Sequence, residues 1–309
     1  MSSSQISVCI ITYNHEKFIR RCIDSVLTQI IGEPIEITIG EDFSKDKTRN
    51  ICREYKEKHP HKIRLIENKS NLGVCTNWIN TIQSCSGKYI AILEGDDYWI
   101  DENKLQKQYD FMETHPDVAF CYTNAFSFID GNDEQKEIMI KNKPNQNIFD
   151  LDFYINNGCF LTPTLTLFIR KDAFPDPVPD WLQRTFNLDW ALNILYLQKG
   201  KAAYLDEITA MYRMHQGGIT SSTYLPSIIH NGIALSKNLD CHFNYKYHHV
   251  FGKLQWRYHK LTVFYFEKKK YLKGFYWLFF CFFRNPLAIV TDIYFLKTLY
   301  KVTFTGHEV

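Results

Sequence analysis

Four short β-branched runs alternate with amphipathic helical stretches over the first hundred residues, and this restricts the chain to a parallel sheet with helices packed on it. Ile6-Ser-Val-Cys-Ile-Ile11 ends in the polar Thr12-Tyr13-Asn14, after which Phe18, Ile19, Cys22, Ile23, Val26 and Leu27 recur at helical spacing. Ile35–Ile39 reads as a second strand, stopped by Gly40-Glu41-Asp42, and Ser44-Lys-Asp-Lys-Thr48 supplies capping chemistry for a helix reaching Lys58. A strand over Lys62–Glu67, the turn Asn71-Leu72-Gly73, a helix over Cys75–Ser84 and a strand over Tyr89–Leu93 complete the series.

In such sheets ligands bind beyond the carboxyl ends of the strands, so the loops Thr12–Asn14, Glu41–Ser44 and Glu94–Asp97 are predicted to converge on one crevice. Further along, the pattern predicts a helix over Lys104–Thr114, a strand over Val118–Phe128 and a polar loop over Gly131–Gln146. A proline-rich loop over Ala173–Pro179, a helix over Leu188–Gln198, a strand over Ala202–Asp206 and a Gly-rich loop over Tyr212–Ser222 follow.

Residues 226–309 read differently. They carry twelve Lys/Arg against four Asp/Glu, a net +8, so the remaining 225 residues hold −6 beneath a chain total of +2. An acidic body is the wrong sign for a nucleic-acid backbone, whereas the basic, aromatic tail suits an anionic membrane surface. Phe275–Phe283 is nine apolar residues, about half of what a membrane span needs, and Arg284-Asn285-Pro286 interrupts it. With Lys268-Lys269-Lys270 and Lys273 upstream, this segment reads as an interfacial helix, although packing on the body of the protein or in a homodimer would leave the same trace. The polar start Met1–Gln5 and the short run after it carry no secretory signal, so a cytoplasmic protein, peripheral at the inner face of the cell membrane, is expected. Nine cysteines without a C-x-x-C pair, Cys159 and Cys241 among them, read as reduced core residues, not as a disulfide framework or a zinc site.

The most informative stretch is Glu94-Gly95-Asp96-Asp97. At the end of an extended segment, positions i and i+2 face one way, so Glu94 and Asp96 are placed to offer oxygens to one ion, and Gly95 leaves room for phosphates near the backbone. Such carboxylates suit Mn²⁺ or Mg²⁺, which would neutralise a departing nucleotide. Taken alone, the four residues also fit a solvated turn before a helix.

Their company favours the first reading. Ile6–Asn14, then Glu41-Asp42 with Ser44-x-Asp46-x-Thr48, then Asn71-Leu72-Gly73 and Leu93–Trp99 occur in order, and together they resemble glycosyltransferase family 2, the inverting transferases of GT-A fold, over roughly residues 6–220. The resemblance implies an α/β GT-A domain over residues 1–225, with a mixed, mostly parallel sheet and helices on both faces. Residues 1–100 would bind the nucleotide sugar and 101–225 the acceptor, followed by the helical tail 226–309. Thr12, Tyr13, Asn14, Asp42, Asn71 and Asp96 match nucleotide positions, with Asp42 expected at the base, usually uracil. Asp96 matches the last acid of the family's metal motif; Glu94 replaces the first Asp and has a longer arm. Asp189, in Asn187-Leu-Asp-Trp190, matches the general base, though as a helix-capping Asp it would look the same. His215 matches a loop residue that ligates the metal or touches the diphosphate, and a His in a Gly-rich loop is also commonly solvated. Asp97, Arg213 and Trp190 are expected at the diphosphate and donor sugar, while Trp190 and Trp99 equally suit a core.

The implied reaction is metal-assisted transfer of a sugar from a UDP-sugar or related donor to a glycan or lipid-linked glycan of a bacterial surface. Two rivals remain. Sugar-nucleotide nucleotidyltransferases share the architecture but carry a Gly-rich phosphate loop after the first strand, where this chain has Thr12-Tyr-Asn-His-Glu16. A non-catalytic glycan-binding module would not need acids at Asp42, Asp96 and Asp189.

Overall fold

The computed structural model describes residues 5–157, 162–185, 187–218, 225–255 and 259–284. The chain divides into two compact units, Met1–Arg184 with Leu188–Ser221, and Thr185–Asn187 with Ser222–Val309.

In the first unit the β-branched runs form β1 (Ile6–Thr12), β2 (Ile35–Glu41), β3 (Ile63–Glu67) and β4 (Tyr89–Glu94), alternating with α1 (Ile19–Leu27), α2 (Thr48–Lys58) and α3 (Val74–Ser84). After these come β5 (Tyr98–Trp99), α4 (Lys104–Thr114), β6 (Val118–Ile129), β7 (Asn132–Ile138), β8 (Ile148–Phe149), α5 (Leu151–Asn156), β9 (Phe168–Arg170), α6 (Leu188–Tyr196) and β10 (Lys201–Met214). The strand order is β3-β2-β1-β4-β9-β6-β10-β5, with β7 on β6 and β8 on β10. The long ladders, β1 with β2 and β4, β2 with β3, and β6 with β10, are parallel; those made by β5, β7, β8 and β9 are short and antiparallel. The long ladders bear out the parallel sheet predicted from the alternation, and the whole is the mixed, mostly parallel sheet that the family resemblance implies.

Helices cover both faces. Ile6, Val8 and Ile10 of β1 pack into one cluster with Ile19, Cys22, Ile23 and Val26 of α1 and with Ile51 and Cys52 of α2. Strand order reverses at β1, so right-handed crossovers carry α3 to the opposite face, where Asn77 donates to the Gly40 carbonyl at 2.9 Å. Register then sets the ends of three strands level: Thr12 pairs with Glu41, and Ile11 with Glu94. The crevice expected at this reversal is bounded by those three ends.

Two stretches differ from expectation. The predicted loop over Gly131–Gln146 instead turns at Gly131 (φ 86°) and returns as β7 beside β6; its sequence, Asn-Asp-Glu-Gln-Lys-Glu-Ile, is an outer strand with no apolar alternation to reveal it. The strand predicted over Ala202–Asp206 extends to Met214, absorbing Tyr212–Met214 from the predicted loop, because β10 follows β6 as far as the pair Met214–Ile129. Residues 219–222 of that loop, Cys159 and Asn285-Pro286 lie outside the described residues. Eight cysteines are free thiols, all buried except Cys241.

The second unit is described by four helices: α7 (Leu225–His242), α8 (His248–Gln255), α9 (His259–Glu267) and α10 (Tyr271–Arg284). Ile229 and Ile233 of α7 meet Leu261 of α9, with Tyr265 and Trp277 packed against them. Among the described residues no helix is long and apolar enough to cross a membrane.

Gly40 tests the layering of the first unit. A Cβ there would overlap the Thr81 hydroxyl and come within 2.8 Å of Asn77 Oδ1 on α3. Gly40→Ala is expected to cost about 1–3 kcal/mol by forcing α3 off the sheet, read as a lower urea midpoint.

Candidate active site

The crevice is organised by side chains bonding to backbone, which lock two loops together. The turn after β1 places Asn14 at φ 56°, and the turn after β2 places Phe43 at φ 63°. Asn14 N–H donates to Ser44 Oγ (3.0 Å), Lys45 N–H to Asn14 Oδ1 (2.8 Å), His15 N–H to Thr48 Oγ1 (2.7 Å) and Glu16 N–H to Asp46 Oδ2 (3.0 Å). Asp46 Oδ1 also accepts from Thr48 N–H at 2.9 Å, so the Ser44-x-Asp46-x-Thr48 pattern joins the helix start to the neighbouring loop. Tyr13, in the first of these loops, is half-buried.

Asp42 is buried, and its carboxylate holds the Asn71-Leu72-Gly73 turn. Oδ1 accepts from Asn68 Nδ2 (2.9 Å) and Leu72 N–H (2.8 Å), Oδ2 from Gly73 N–H (2.9 Å), and Asn71 Nδ2 donates to the Asp42 carbonyl (3.2 Å). Glu41, fully buried, binds Arg49 Nε at 2.5 Å and Ser44 N–H at 2.7 Å.

The pairing of β5 with β10, Tyr98 opposite Met211 and Trp99 opposite Ala210, brings the end of β10 over the Glu94–Asp97 loop. Asp96 Oδ2 lies 3.0 Å from His215 Nε2 and 3.7 Å from His15 Nε2. Ligand atoms of His15, Asp96 and His215 all fall within 4.8 Å of one another, the one such cluster among the described residues. His15 was not anticipated; the signal was a histidine directly after Thr12-Tyr13-Asn14, at the end of the strand beside Glu94. Its Nδ1 is 3.2 Å from Thr12 Oγ1, a contact that orients the ring with Nε2 on the Asp96 side. Gly95 has a protein reason to be glycine: a Cβ would stand 2.6 Å from Thr12 Oγ1 and 2.9 Å from His15 Nδ1. Two imidazoles and a carboxylate suit Mn²⁺ better than Mg²⁺, which favours an all-oxygen shell.

Glu94 stands outside that cluster. Its Oε2 is buried without a hydrogen-bond partner, and burial, reinforced by Asp96 and Asp189, pushes its pKa up to about 8. Burial also pushes Asp96 upward, but the His15 and His215 imidazoles outweigh it and hold Asp96 below the usual carboxylate range. Burial lowers the His15 pKa, and the Asp96 carboxylate draws it part of the way back. Asp97 is raised well above normal by burial, Asp96 and Glu94, and its Oδ1 accepts the Arg213 backbone N–H at 2.8 Å.

Arg213, expected at the diphosphate, is buried and engaged within the protein: Nε donates to the Asp96 carbonyl (3.1 Å), Nη1 pairs with Asp130 (2.6 Å), and the guanidinium lies over the rings of Phe18 (4.6 Å) and Phe128 (4.8 Å). It buttresses the loop that carries Asp96. Asp189 and Trp190 occupy the first turn of α6, both half-buried. Burial raises the Asp189 pKa, and Thr164 Oγ1 donates to its Oδ2 at 3.3 Å. Thr164, also unanticipated, is set by a short 3₁₀ turn (Thr164–Thr166) ahead of β9, where Trp99 Nε1 binds the Leu165 carbonyl (2.8 Å) and Gln108 Nε2 the Thr166 carbonyl (2.9 Å). Trp99 therefore serves the core.

The family model for glycosyl transferase family 2 matches residues 7–174. The chain belongs to that family. Its family relatives include uncharacterised proteins of Mycobacterium bovis and Mycobacterium tuberculosis, 30% identical over 71% of this chain; the chain spans 61% of their length. A UDP-Glc:alpha-D-GlcNAc-diphosphoundecaprenol beta-1,3-glucosyltransferase of Escherichia coli is 27% identical over 77% of this chain and 88% of its own. Among solved structures, residues 1–349 of S. aureus TarS in complex with UDP-GlcNAc superpose with TM-score 0.58 at 17% identity, covering 76% of this chain and 66% of that fragment. A Pyrobaculum calidifontis mannosyltransferase in complex with GDP-Man and Mn²⁺ gives 0.56 at 12% identity, covering 99% and 89%. The fold is therefore GT-A.

Glu94 makes the site's stability depend on pH. Between the ordinary carboxyl pKa and about 8, the folded protein holds a proton on Glu94 that the unfolded chain releases, so stability falls as pH rises through that window. Glu94→Gln removes this dependence. In the metal-free protein its stability advantage over wild type, followed by the thermal midpoint, is expected to grow from pH 5 to pH 9, reaching a few kcal/mol of unfolding free energy; an equal difference in midpoint at both values would contradict it.

Proposed function

We propose that the chain is an inverting glycosyltransferase that moves a sugar from a UDP-sugar to a hydroxyl of a glycan or lipid-linked glycan in surface polysaccharide synthesis. The observation that carries this reading is the gathering of four acids, Glu94, Asp96, Asp97 and Asp189, with His15 and His215 at the carboxyl ends of parallel strands. Support for the donor comes from the UDP-sugars named for TarS and the Escherichia coli relative, and support for the acceptor from the diphosphoundecaprenol named for the latter. A minor teichoic acid biosynthesis protein of Bacillus subtilis, 26% identical over 75% of this chain, is consistent with a surface product.

In this reading Thr12, Tyr13, Asn14, Asp42 and Asn71 frame the nucleoside, Asp42 acting chiefly by fixing the Asn71-Leu72-Gly73 turn and offering its remaining lone pair to the base. His15, Asp96 and His215 would hold Mn²⁺, which supplies charge neutralisation at the diphosphate. Glu94, long-armed and unpartnered at Oε2, is available to a ribose hydroxyl or to the cation's outer shell. Arg213 and Asp97 keep the loop rigid behind the diphosphate, and Trp190 offers a ring to the donor sugar.

Asp189 acts as base. The acceptor oxygen attacks the anomeric carbon as its proton passes to the Asp189 carboxylate, the bond to the diphosphate breaks, and the configuration inverts in one displacement. Burial raises the basicity of Asp189, while the Thr164 hydroxyl steadies the charged form. Because the active form is the carboxylate, the rate should climb with pH through the raised Asp189 pKa and then level off.

Asp189→Asn is expected to lower kcat by about 10²–10⁴-fold with UDP binding intact, followed as UDP released from a panel of UDP-sugars. Full turnover by this variant would remove Asp189 from the mechanism.

A further inference from the structure

Helix α10 is apolar on two faces. Gly274, Trp277 and Cys281, at helical spacing, turn inward: Trp277 packs against Ile229, Ile233 and Leu261, and a Cβ on Gly274 would meet the Phe266 ring at 3.0 Å. A second row, Leu272, Phe275, Tyr276 and Phe279, keeps the i, i+3, i+4, i+7 spacing and is largely exposed, at 90, 53, 62 and 67%. An exposed, contiguous aromatic row of this kind marks an interaction surface. At one end of it Lys268, Lys269 and Lys270, in the turn before α10, and Lys273 within the helix are all exposed.

We propose that this face docks on an anionic lipid surface, with Leu272, Phe275, Tyr276 and Phe279 entering the boundary between headgroups and acyl chains and the four lysines pairing with lipid phosphates. The helix has 14 residues, about 21 Å of rise, too short to span a bilayer and sufficient to lie along it. Aromatic side chains beside lysines that reach for headgroups are the chemistry of that boundary. Charge favours this occupant over a second copy of the chain, because α10 carries no Asp or Glu and a two-fold contact along the same row would offer no acidic group from the facing helix to the lysines, whereas lipid phosphates do. The proposal rests on this face alone and stands or falls independently of the transfer reaction.

Co-sedimentation of the full chain with vesicles tests it, comparing phosphatidylcholine with a phosphatidylcholine–phosphatidylglycerol mixture. Two variants accompany wild type, Leu272→Ser with Phe279→Ser, and Lys268→Gln with Lys269→Gln and Lys270→Gln; all these positions are exposed, and circular dichroism checks the fold. Wild type is expected to sediment with the mixed vesicles and far less with phosphatidylcholine. The apolar variant should lose binding, and the lysine variant should partition about a hundredfold more weakly, from about fivefold per charge. Equal sedimentation with both lipids, or none with either, would overturn the proposal. So would a wild-type dimer in light scattering that the Leu272→Ser, Phe279→Ser variant splits while vesicle binding is missing.

Discussion

Everything in the crevice depends on the meeting of Asp96 with His215, residues 119 positions apart that lie 3.0 Å from each other. That contact exists because β5 pairs with β10, and the loop between β4 and β5 is thereby pulled under the end of the longest strand in the sheet. Arg213 closes the same junction from below, with its backbone on Asp97, its Nε on the Asp96 carbonyl and its guanidinium on Asp130. A buried arginine in that setting converts a flexible acidic turn into a fixed one, and a fixed set of ligand atoms gives up little freedom when an ion arrives.

The acids nearby are held at different protonation by their surroundings. Asp96 is kept ionised by two imidazoles, whereas Glu94, Asp97 and Asp189 are pushed toward the neutral form by burial. Carboxylates at full charge this close together would repel, and the metal-free protein lowers that repulsion at Glu94 and Asp97 by retaining protons. Under the proposed function, a cation and a nucleoside diphosphate arriving together would change the field that sets these pKa values and so tie proton release to donor binding. Separated acid–base roles of this kind are what a single-displacement transfer requires, with one ionised acid at the leaving group and one basic carboxylate at the acceptor.

Much of this was readable from residue order. The four leading strands and their helices follow from β-branched runs and helical periodicity, and the placement of Glu94–Asp97 at a strand end follows from the parallel sheet alone. What stayed hidden shares a physical cause, in that it depends on contacts distant in sequence. His15 becomes a candidate ligand only once β1 and β4 are neighbours; Thr164 matters only once β9 runs back along β4. The polar β7 and the last residues of β10 have no apolar pattern of their own and take their conformation from β6. In the tail, composition pointed to an aromatic and basic helix, but only the packing of Trp277 and Gly274 shows which row turns inward.

The central claim is that His15, Asp96 and His215 form a divalent-metal site through which a uridine diphosphate donor is held. Calorimetric titration of UDP into the protein, with and without Mn²⁺, and into Asp96→Ala and His15→Ala, addresses it most directly. The account predicts tight binding only when Mn²⁺ is present, and its loss in both variants. Binding of UDP that is indifferent to Mn²⁺ and to both substitutions would contradict it.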